Sequence, residues 1–500
     1  LPGGMIISRQ GKQLRLSCLL PWAVALLAGC SDSTSVQPEP EPEPEPVRQP
    51  ELNALSVTAT SGQMTPAFDP GTLHYAVRCA PSDVIRVSAV AASPSQDISV
   101  DDVVVGTGEA AIDLADPRGD QDFSIEVSDG RDAQTYTLHY VQLDVPQIEI
   151  MVSSPAASQE LLYLSPKFRE AEQQRSNLLV LDNNGVPRFQ RKVDGRTLDF
   201  KRHANGWSTY ALDIGPNEYG LTDNVIVVLD EEMNEVSRLT TVDLNHTDNH
   251  DFLFTAEGNA ILIAYHSVVR DMTAYGLSAD EVVGDSVIQE LDPEGNIVFE
   301  WSSWDHIDLA DCQQSGYPRF AADYAHLNAL NLTPDGDLIA SFRGCAQVLR
   351  IDRPSGDVQW YLGGSRSQYR IVGDAFEEFC GQHTAWQLDS GNVLLFDNGS
   401  FCLGNREEKF GQFSRAVEYE LNDTTGEASF VRDYSLDGAY QAFTRSQGSV
   451  QPLPNGNWLI GWGRGPDVTA TEINVAGEKV FELRLSIDGS TVVSYRAARP

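Results

Sequence analysis

After about residue 50, apolar and polar residues alternate in short runs, a period of two that predicts strands rather than helices. Leu52 to Thr60, Leu73 to Cys79, Val84 to Ala91, Ile98 to Val105, Ala110 to Leu114, Phe123 to Val127 and Thr135 to Val141 are such runs, separated by turn residues. Together they predict a small antiparallel β-sandwich over 51–146. His74 and His139 fall within these runs and are expected on exposed strand faces.

From 147 to 500 strands still dominate, now as a repeat. Leu181-Asp182-Asn183-Asn184-Gly185, Leu229-Asp230, Leu291-Asp292-Pro293-Glu294-Gly295, Ile351-Asp352, Leu421-Asn422 and Ile473-Asn474 each read as the same hairpin. An apolar strand ends in Asp or Asn, turns on glycine in most copies, and returns apolar. The copies recur every 50 to 70 residues or so, the length of a propeller blade with some long loops. Six copies predict an all-β, six-bladed β-propeller. Thr491 to Tyr495 is expected to pair with Leu161 to Leu164 and close the ring.

A second repeat carries candidate chemistry. His250-Asp251-Phe252 leads to Gly258-Asn259, His326-Leu327-Asn328 to Gly336-Asp337, His383-Thr384-Ala385-Trp386 to Gly391-Asn392, and Gln447-Gly448-Ser449 to Gly456-Asn457. The clearest copy has a strand from His383, a turn at Asp389-Ser390-Gly391-Asn392, and a core strand from Val393 to Phe396. Equivalent first residues of inner propeller strands face one another at the channel mouth. His250, His326 and His383 are therefore expected to converge there, with Arg343 at the end of the strand that follows His326. The plainer alternative is that each histidine caps its strand and bonds to the neighbouring blade. His203, His246, His266 and His306 fall off this register and are expected on the surface or in loops.

The first 50 residues are of another kind. With Met5 as a candidate start, Arg9, Lys12 and Arg15 precede a short apolar stretch from Leu19 to Leu27 and then Leu27-Ala28-Gly29-Cys30. This resembles a bacterial lipobox, which implies a leader over 1–29 and lipidation of Cys30. Ser31 in place of Asp resembles the outer-membrane sorting pattern. The chain is therefore expected to be lipid-anchored, facing the periplasm or exposed on the outer membrane. Alternating Pro and Glu through Pro46 favour polyproline II, a stiff tether over 30–50 reaching about 40 Å.

Acidic residues number 72 against 35 basic ones, a formal charge of −37. With no basic run to displace counterions, nucleic acid is not an expected partner. An anionic substrate would need a locally positive, sheltered site. Cys79, Cys312, Cys345, Cys380 and Cys402 remain beyond Cys30, without CxxC or Cys/His metal spacing. Disulfides Cys380–Cys402 and Cys312–Cys345 are expected, with Cys79 free. The alternative is that all five are buried thiols.

Tyr324-Ala325-His326-Leu327-Asn328, Ser341-Phe342-Arg343, Gln382-His383-Thr384-Ala385-Trp386 with Phe396-Asp397-Asn398-Gly399, and Ser414-Arg415 with Val417-Glu418-Tyr419 resemble the bacterial arylsulfate sulfotransferase family. That family has an N-terminal sandwich and a six-bladed propeller. Over the first domain, Phe68-Asp69-Pro70 and Tyr136-Thr137-Leu138 resemble cadherin-like β-sandwich domains. The resemblance implies that His383 carries the sulfuryl group while His250, His326 and Arg343 hold its oxygens, without a nucleotide sulfate donor; no cofactor or metal is expected. Where the family often has a histidine pair, this chain has Asn249-His250. Asn328, Tyr324 and Trp386 are expected to bind substrate.

The expected reaction is ping-pong transfer from a phenolic sulfate ester to a phenol through a sulfohistidine. One rival is a three-histidine metal site, which a neighbouring guanidinium disfavours by repelling a cation. The other is a non-catalytic propeller lipoprotein acting as a scaffold or binding module.

Overall fold

The computed structural model describes residues 49–60, 62–114, 122–167, 175–216, 222–313, 323–402, 406–438 and 440–500. The leader, Cys30 and most of the Pro-Glu tether lie outside the described residues. Strands dominate the rest, with a few short helices such as Leu309–Gln313 and Arg406–Phe410.

Nine strands between Leu52 and Gln142 form one continuous sheet that folds over its own core. Alternation decides which side chains enter it. Leu55, Val57, Val77, Val87, Ile125 and Leu138 face inward, and intervening residues such as Arg86 stay exposed. The expectation of a wholly antiparallel sandwich is corrected at one pair: His74–Cys79 runs parallel to Ala133–Gln142. Residues 80–132 intervene between them, long enough for the crossover that a parallel pair needs. His74 and His139 are not exposed as expected. His139 is buried against Asp122 at 2.9 Å, and its Nε2 lies 3.1 Å from Nδ1 of His74. Gln190 bonds to the Tyr140 carbonyl and Lys192 pairs with Asp144, so a strand of the second domain covers this face. Cys79 is a buried free thiol.

The second domain consists of six sheets met in chain order, each built mainly of four antiparallel strands. The repeated Asp/Asn-to-glycine hairpins join the two outer strands of each. In four of them the turning backbone bonds from Asp182 to Val186, Asp230 to Asn234, Asp292 to Asn296 and Asn474 to Glu478. Three sheets depart from simple chain order, the fifth because Arg370–Val372 adds to its outer edge parallel to Glu427–Tyr434. Val493–Ala498 pairs with Leu162–Lys167 in the first sheet, two to three residues beyond the pairing expected from sequence. Gln147–Ser153 adds to the outer edge of the last sheet along Lys479–Ile487.

Buried polar groups tie the innermost strands together. Arg496 reaches Asp199 at 3.0 Å, Asp251 at 2.7 Å and the Asn328 carbonyl at 2.9 Å, which lie on the second, third and fourth sheets. Thr384 Oγ and the Val450 backbone bond reciprocally between the fifth and sixth sheets. Buried charges survive only when paired in this way.

Candidate active site

Loops and strand ends of the six sheets enclose a cavity of about 480 Å³ whose wall includes His250, His326, Arg343 and His383. Each histidine is delivered differently. The fourth sheet's inner strand, Leu327–Leu332, is preceded by His326 at φ 49°, a left-handed conformation that is costly for a residue with a Cβ. The Arg343 and Gly344 N–H groups bond back to the His326 and Ala325 carbonyls at 3.0 and 2.9 Å, placing Arg343 beside His326. A Cβ at Gly344 would stand 2.1 Å from the Tyr324 carbonyl oxygen, so only glycine allows this approach. The expected Cys312–Cys345 disulfide is present and anchors the same turn.

His250 is not a strand's first residue. It lies inside His246–Phe254, where pairing jumps from Thr247 opposite Ala264 to Phe252 opposite Leu262. The extra residues bulge out and aim the imidazole at the cavity. The same strand buries His246 beside Asp223, contrary to its expected surface or loop position. His203, His266 and His306 are half-buried, and His306 stacks on Trp301 with ring centroids 4.5 Å apart.

His383 precedes Ala385–Gln387, so the regular strand starts two residues later than expected. Ladder bonds from His383 N–H to the Phe396 carbonyl and from Phe396 N–H to that of Thr384 still hold it in register. The Cys380–Cys402 disulfide braces this loop as expected.

The hydrogen bonds fix the protonation pattern of His383. Both Asn398 amide hydrogens are used, on the Thr444 and Gln447 carbonyls, so its Oδ1 can only accept. His383 Nδ1 lies 2.7 Å from that oxygen and must be the protonated nitrogen. Nε2 carries the lone pair and accepts the Gln447 N–H at 2.8 Å. Burial, then the Arg343 charge and the two other imidazoles, push the His383 pKa well below 6.5, although Asn398 opposes the shift. The ring is thus held as a neutral imidazole whose Nε2 is unprotonated.

The other two imidazoles are acid-paired. His250 Nδ1 lies 2.6 Å from Asp248 and His326 Nδ1 2.6 Å from Asp323. With Nδ1–H committed to a carboxylate, Nε2 accepts a proton or, once protonated, donates one. Their ring centroids are 4.9 Å apart. Burial lowers the His326 pKa, Asp323 raises it, and His250 and Arg343 lower it again, for a net decrease. Arg343 stacks over Phe401 at 5.0 Å and donates to the Arg445 carbonyl at 3.4 Å. Among the described residues, no group of three or more His, Cys, Asp or Glu is placed to hold a metal ion.

The expected substrate-binding roles of Asn328, Tyr324 and Trp386 are corrected, because none of them is in the cavity wall. Asn328 is fully buried and bonds the Gln382 carbonyl at 2.8 Å, Tyr324 lies behind the site with its hydroxyl 3.0 Å from Ser303, and Trp386 donates to the Val450 carbonyl at 2.7 Å. Asp248, Asp323, Asn398 and Gln447 belong to the site and were not singled out as site residues from sequence. An acid two or three positions before a candidate histidine was a usable signal for the first two.

Beneath the loop, Arg415 is fully buried among Asp374 at 2.7 Å, Asp397 at 3.1 Å and Asp433 at 3.0 Å. Asp397 also takes Arg406 at 2.6 Å and the N–H groups of Cys380 and Gly399. This network sets the backbone that carries Asn398, and through it the His383 ring. Arg415→Met leaves Asp374 and Asp433 without their guanidinium, while Asp397 keeps Arg406, and is expected to cost about 3–5 kcal/mol, read as a lowered denaturant midpoint.

A family model described as arylsulfotransferase (ASST) matches residues 219–485, and one described as a cadherin-like β-sandwich domain matches 52–142. The arylsulfate sulfotransferase AssT of Escherichia coli O6:H1 (strain CFT073) is 26% identical over 117 residues, which cover 21% of this chain and 19% of that protein. Among solved structures, a protein of unknown function from Bacteroides caccae aligns at a TM-score of 0.41 and 12% identity, covering 68% of this chain and 98% of that one. A catalytically inactive virginiamycin B lyase from Staphylococcus aureus, crystallised with quinupristin, aligns at 0.35 and 8% identity, covering 71% and 100% respectively.

Proposed function

The chain belongs to the arylsulfotransferase family, and from that premise we propose that it moves a sulfuryl group from a phenolic sulfate ester to a phenol, in two steps through a sulfohistidine at His383. The observation that carries this is the fixed tautomer: a neutral imidazole presents its Nε2 lone pair in the same wall as a guanidinium and two acid-paired imidazoles. We take the six sheets as the blades of a propeller, with Val493–Ala498 closing the ring beside Leu162–Lys167. That arrangement brings the strand openings to one channel mouth.

In the first step Nε2 attacks sulfur, the N–S bond forms and the S–O bond to the aryl group breaks. The Gln447 N–H, which bonds that lone pair, is displaced by the incoming sulfur and left beside the sulfuryl oxygens. Arg343 balances the charge on those oxygens. The departing phenolate takes a proton from the His250–His326 pair. In the second step the acceptor phenol returns a proton to that pair and attacks sulfur, and the N–S bond breaks. Positioning and charge stabilisation suffice for such a transfer, as for phosphoryl groups. A chromogenic aryl sulfate should release its phenol slowly alone and faster with an added phenol, with parallel lines in double-reciprocal plots. Phenol release unaffected by any acceptor would refute transfer.

The lipobox-like Leu27-Ala28-Gly29-Cys30 and the acidic tether support a lipid-anchored placement at the outer membrane. Cys30→Ala is expected to move the protein from the membrane pellet to the soluble fraction, or to block its processing, as read by fractionation and immunoblot.

A further inference from the structure

The cavity wall holds more positive charge than sulfuryl transfer requires. Lys167, Arg196, Arg343, Arg445 and Arg464 line it, while its one acidic wall residue among those described, Asp248, is bonded to His250. This occurs in a chain of net charge −37. An aryl sulfate monoester carries a single negative charge, which Arg343 and the imidazoles face.

Lys167, Arg196 and Arg464 form a separate group. They come from the first, second and sixth sheets, whereas His250, His326, Arg343 and His383 come from the third, fourth and fifth. Among the described residues, the one salt bridge made by this group is that of Arg196 to Asp213 at 3.2 Å. Lys167 and Arg464 have no carboxylate within salt-bridge distance among the described residues. Lys167 feels its neighbours: burial, then Arg196 and Arg464, push its pKa down to about 7 against the opposing Asp213. Like charges gathered with too few counter-charges favour an anion that completes the set.

Tyr495 spans the two groups. The Lys167 ammonium lies 5.9 Å from its ring centroid, and the His383 ring centroid lies 6.4 Å from it on another approach. Both the cation group and the reacting imidazole thus border Tyr495, an aromatic wall against which the ring of a substrate can lie.

We propose that Lys167, Arg196 and Arg464 form a second anion subsite, which takes a carboxylate or sulfonate borne on the far side of the aromatic ring of donor and acceptor. The proposal rests on the sulfotransferase function for the identity of the reacting group. It narrows the substrate class to aryl sulfates and phenols that carry a second negative charge.

The test compares 4-(carboxymethyl)phenyl sulfate, its methyl ester and the sulfomethyl analogue as donors, with the full chain. The leaving phenols differ little in basicity, so a difference in kcat/KM reports the distal group. Wild type is expected to favour the charged donors by at least about tenfold at low ionic strength, an advantage that shrinks with salt. In Lys167→Met and Arg464→Met the ratio is expected to fall toward one. Preference for the carboxylate or the sulfonate identifies which oxyanion the subsite fits. Calorimetric titration with 4-hydroxyphenylacetate and its methyl ester separates the two ideas without turnover. If no donor reacts yet the acid binds more tightly in a Lys167-dependent way, the subsite stands and sulfuryl transfer falls. If all donors react equally, transfer stands and the subsite is wrong. Lys167-dependent binding of inorganic sulfate without any preference between acid and ester overturns it as well.

Discussion

His383→Ala is expected to abolish sulfuryl transfer, lowering the rate by at least about 10³-fold, because the covalent intermediate loses the atom that carries it. Its neighbours are poor substitutes. His250 and His326 each commit Nδ1 to a carboxylate, and in the proposed reaction they serve the leaving oxygen rather than sulfur. In wild type, aryl sulfate alone should charge the enzyme with one SO₃ on the His383 imidazole and release a burst of phenol. Quenching at alkaline pH, followed by intact-mass and peptide analysis, checks this directly. Transfer that persists in His383→Ala would point to direct displacement or to another histidine. The pH profile follows from the same geometry. Because burial and then Arg343 hold the His383 pKa well below 6.5, its neutral, reactive form prevails at and above that pH. The acid limb of kcat/KM due to this group is therefore expected below pH 6.5.

Arg343→Met has the second largest expected effect, a loss of about 10²–10³ in the rate of sulfohistidine formation, the size of removing one charge-stabilising donor. A smaller burst survives, which separates this role from that of the nucleophile. Arg343 also lowers the His383 pKa, so its removal lets the imidazole protonate more readily. The acid limb should then move to higher pH, a shift that a purely structural defect would not produce. Arg343→Lys restores the charge but not the planar fork, and is expected to recover the limb more fully than the rate. If the rate of Arg343→Met stays within threefold of wild type, the guanidinium does not face the sulfuryl oxygens.

The three convergent histidines were legible because each precedes the same strand–turn–strand signal, a pattern written within about ten residues. The misplaced substrate contacts show where such reading ends. Asn328 is expected at the substrate, but the strand register shifts at Asn328 itself, between Leu327 opposite Phe342 and Ala329 opposite Ser341. Its side chain instead bonds the Gln382 carbonyl of the neighbouring sheet. His250 was placed as a strand opening, whereas a bulge aims it. His139 looked exposed from the alternation of its own strand, yet the second domain covers it.

The all-β class, the hairpin turns and the candidate nucleophile are legible in the chain alone, since each depends on local periodicity, turn chemistry or a short motif. The cysteine pairing, open between disulfides and thiols in the sequence, is settled by which cysteines the fold brings together. The tertiary structure alone decided which nitrogen of His383 holds the proton and how the positive charge of the wall is divided. Those outcomes depend on contacts between residues far apart in the chain, such as His383 with the Gln447 N–H and Lys167 with Arg464. A hydrogen bond or Coulomb interaction acts through distance in space, and only the packing of six sheets sets that distance.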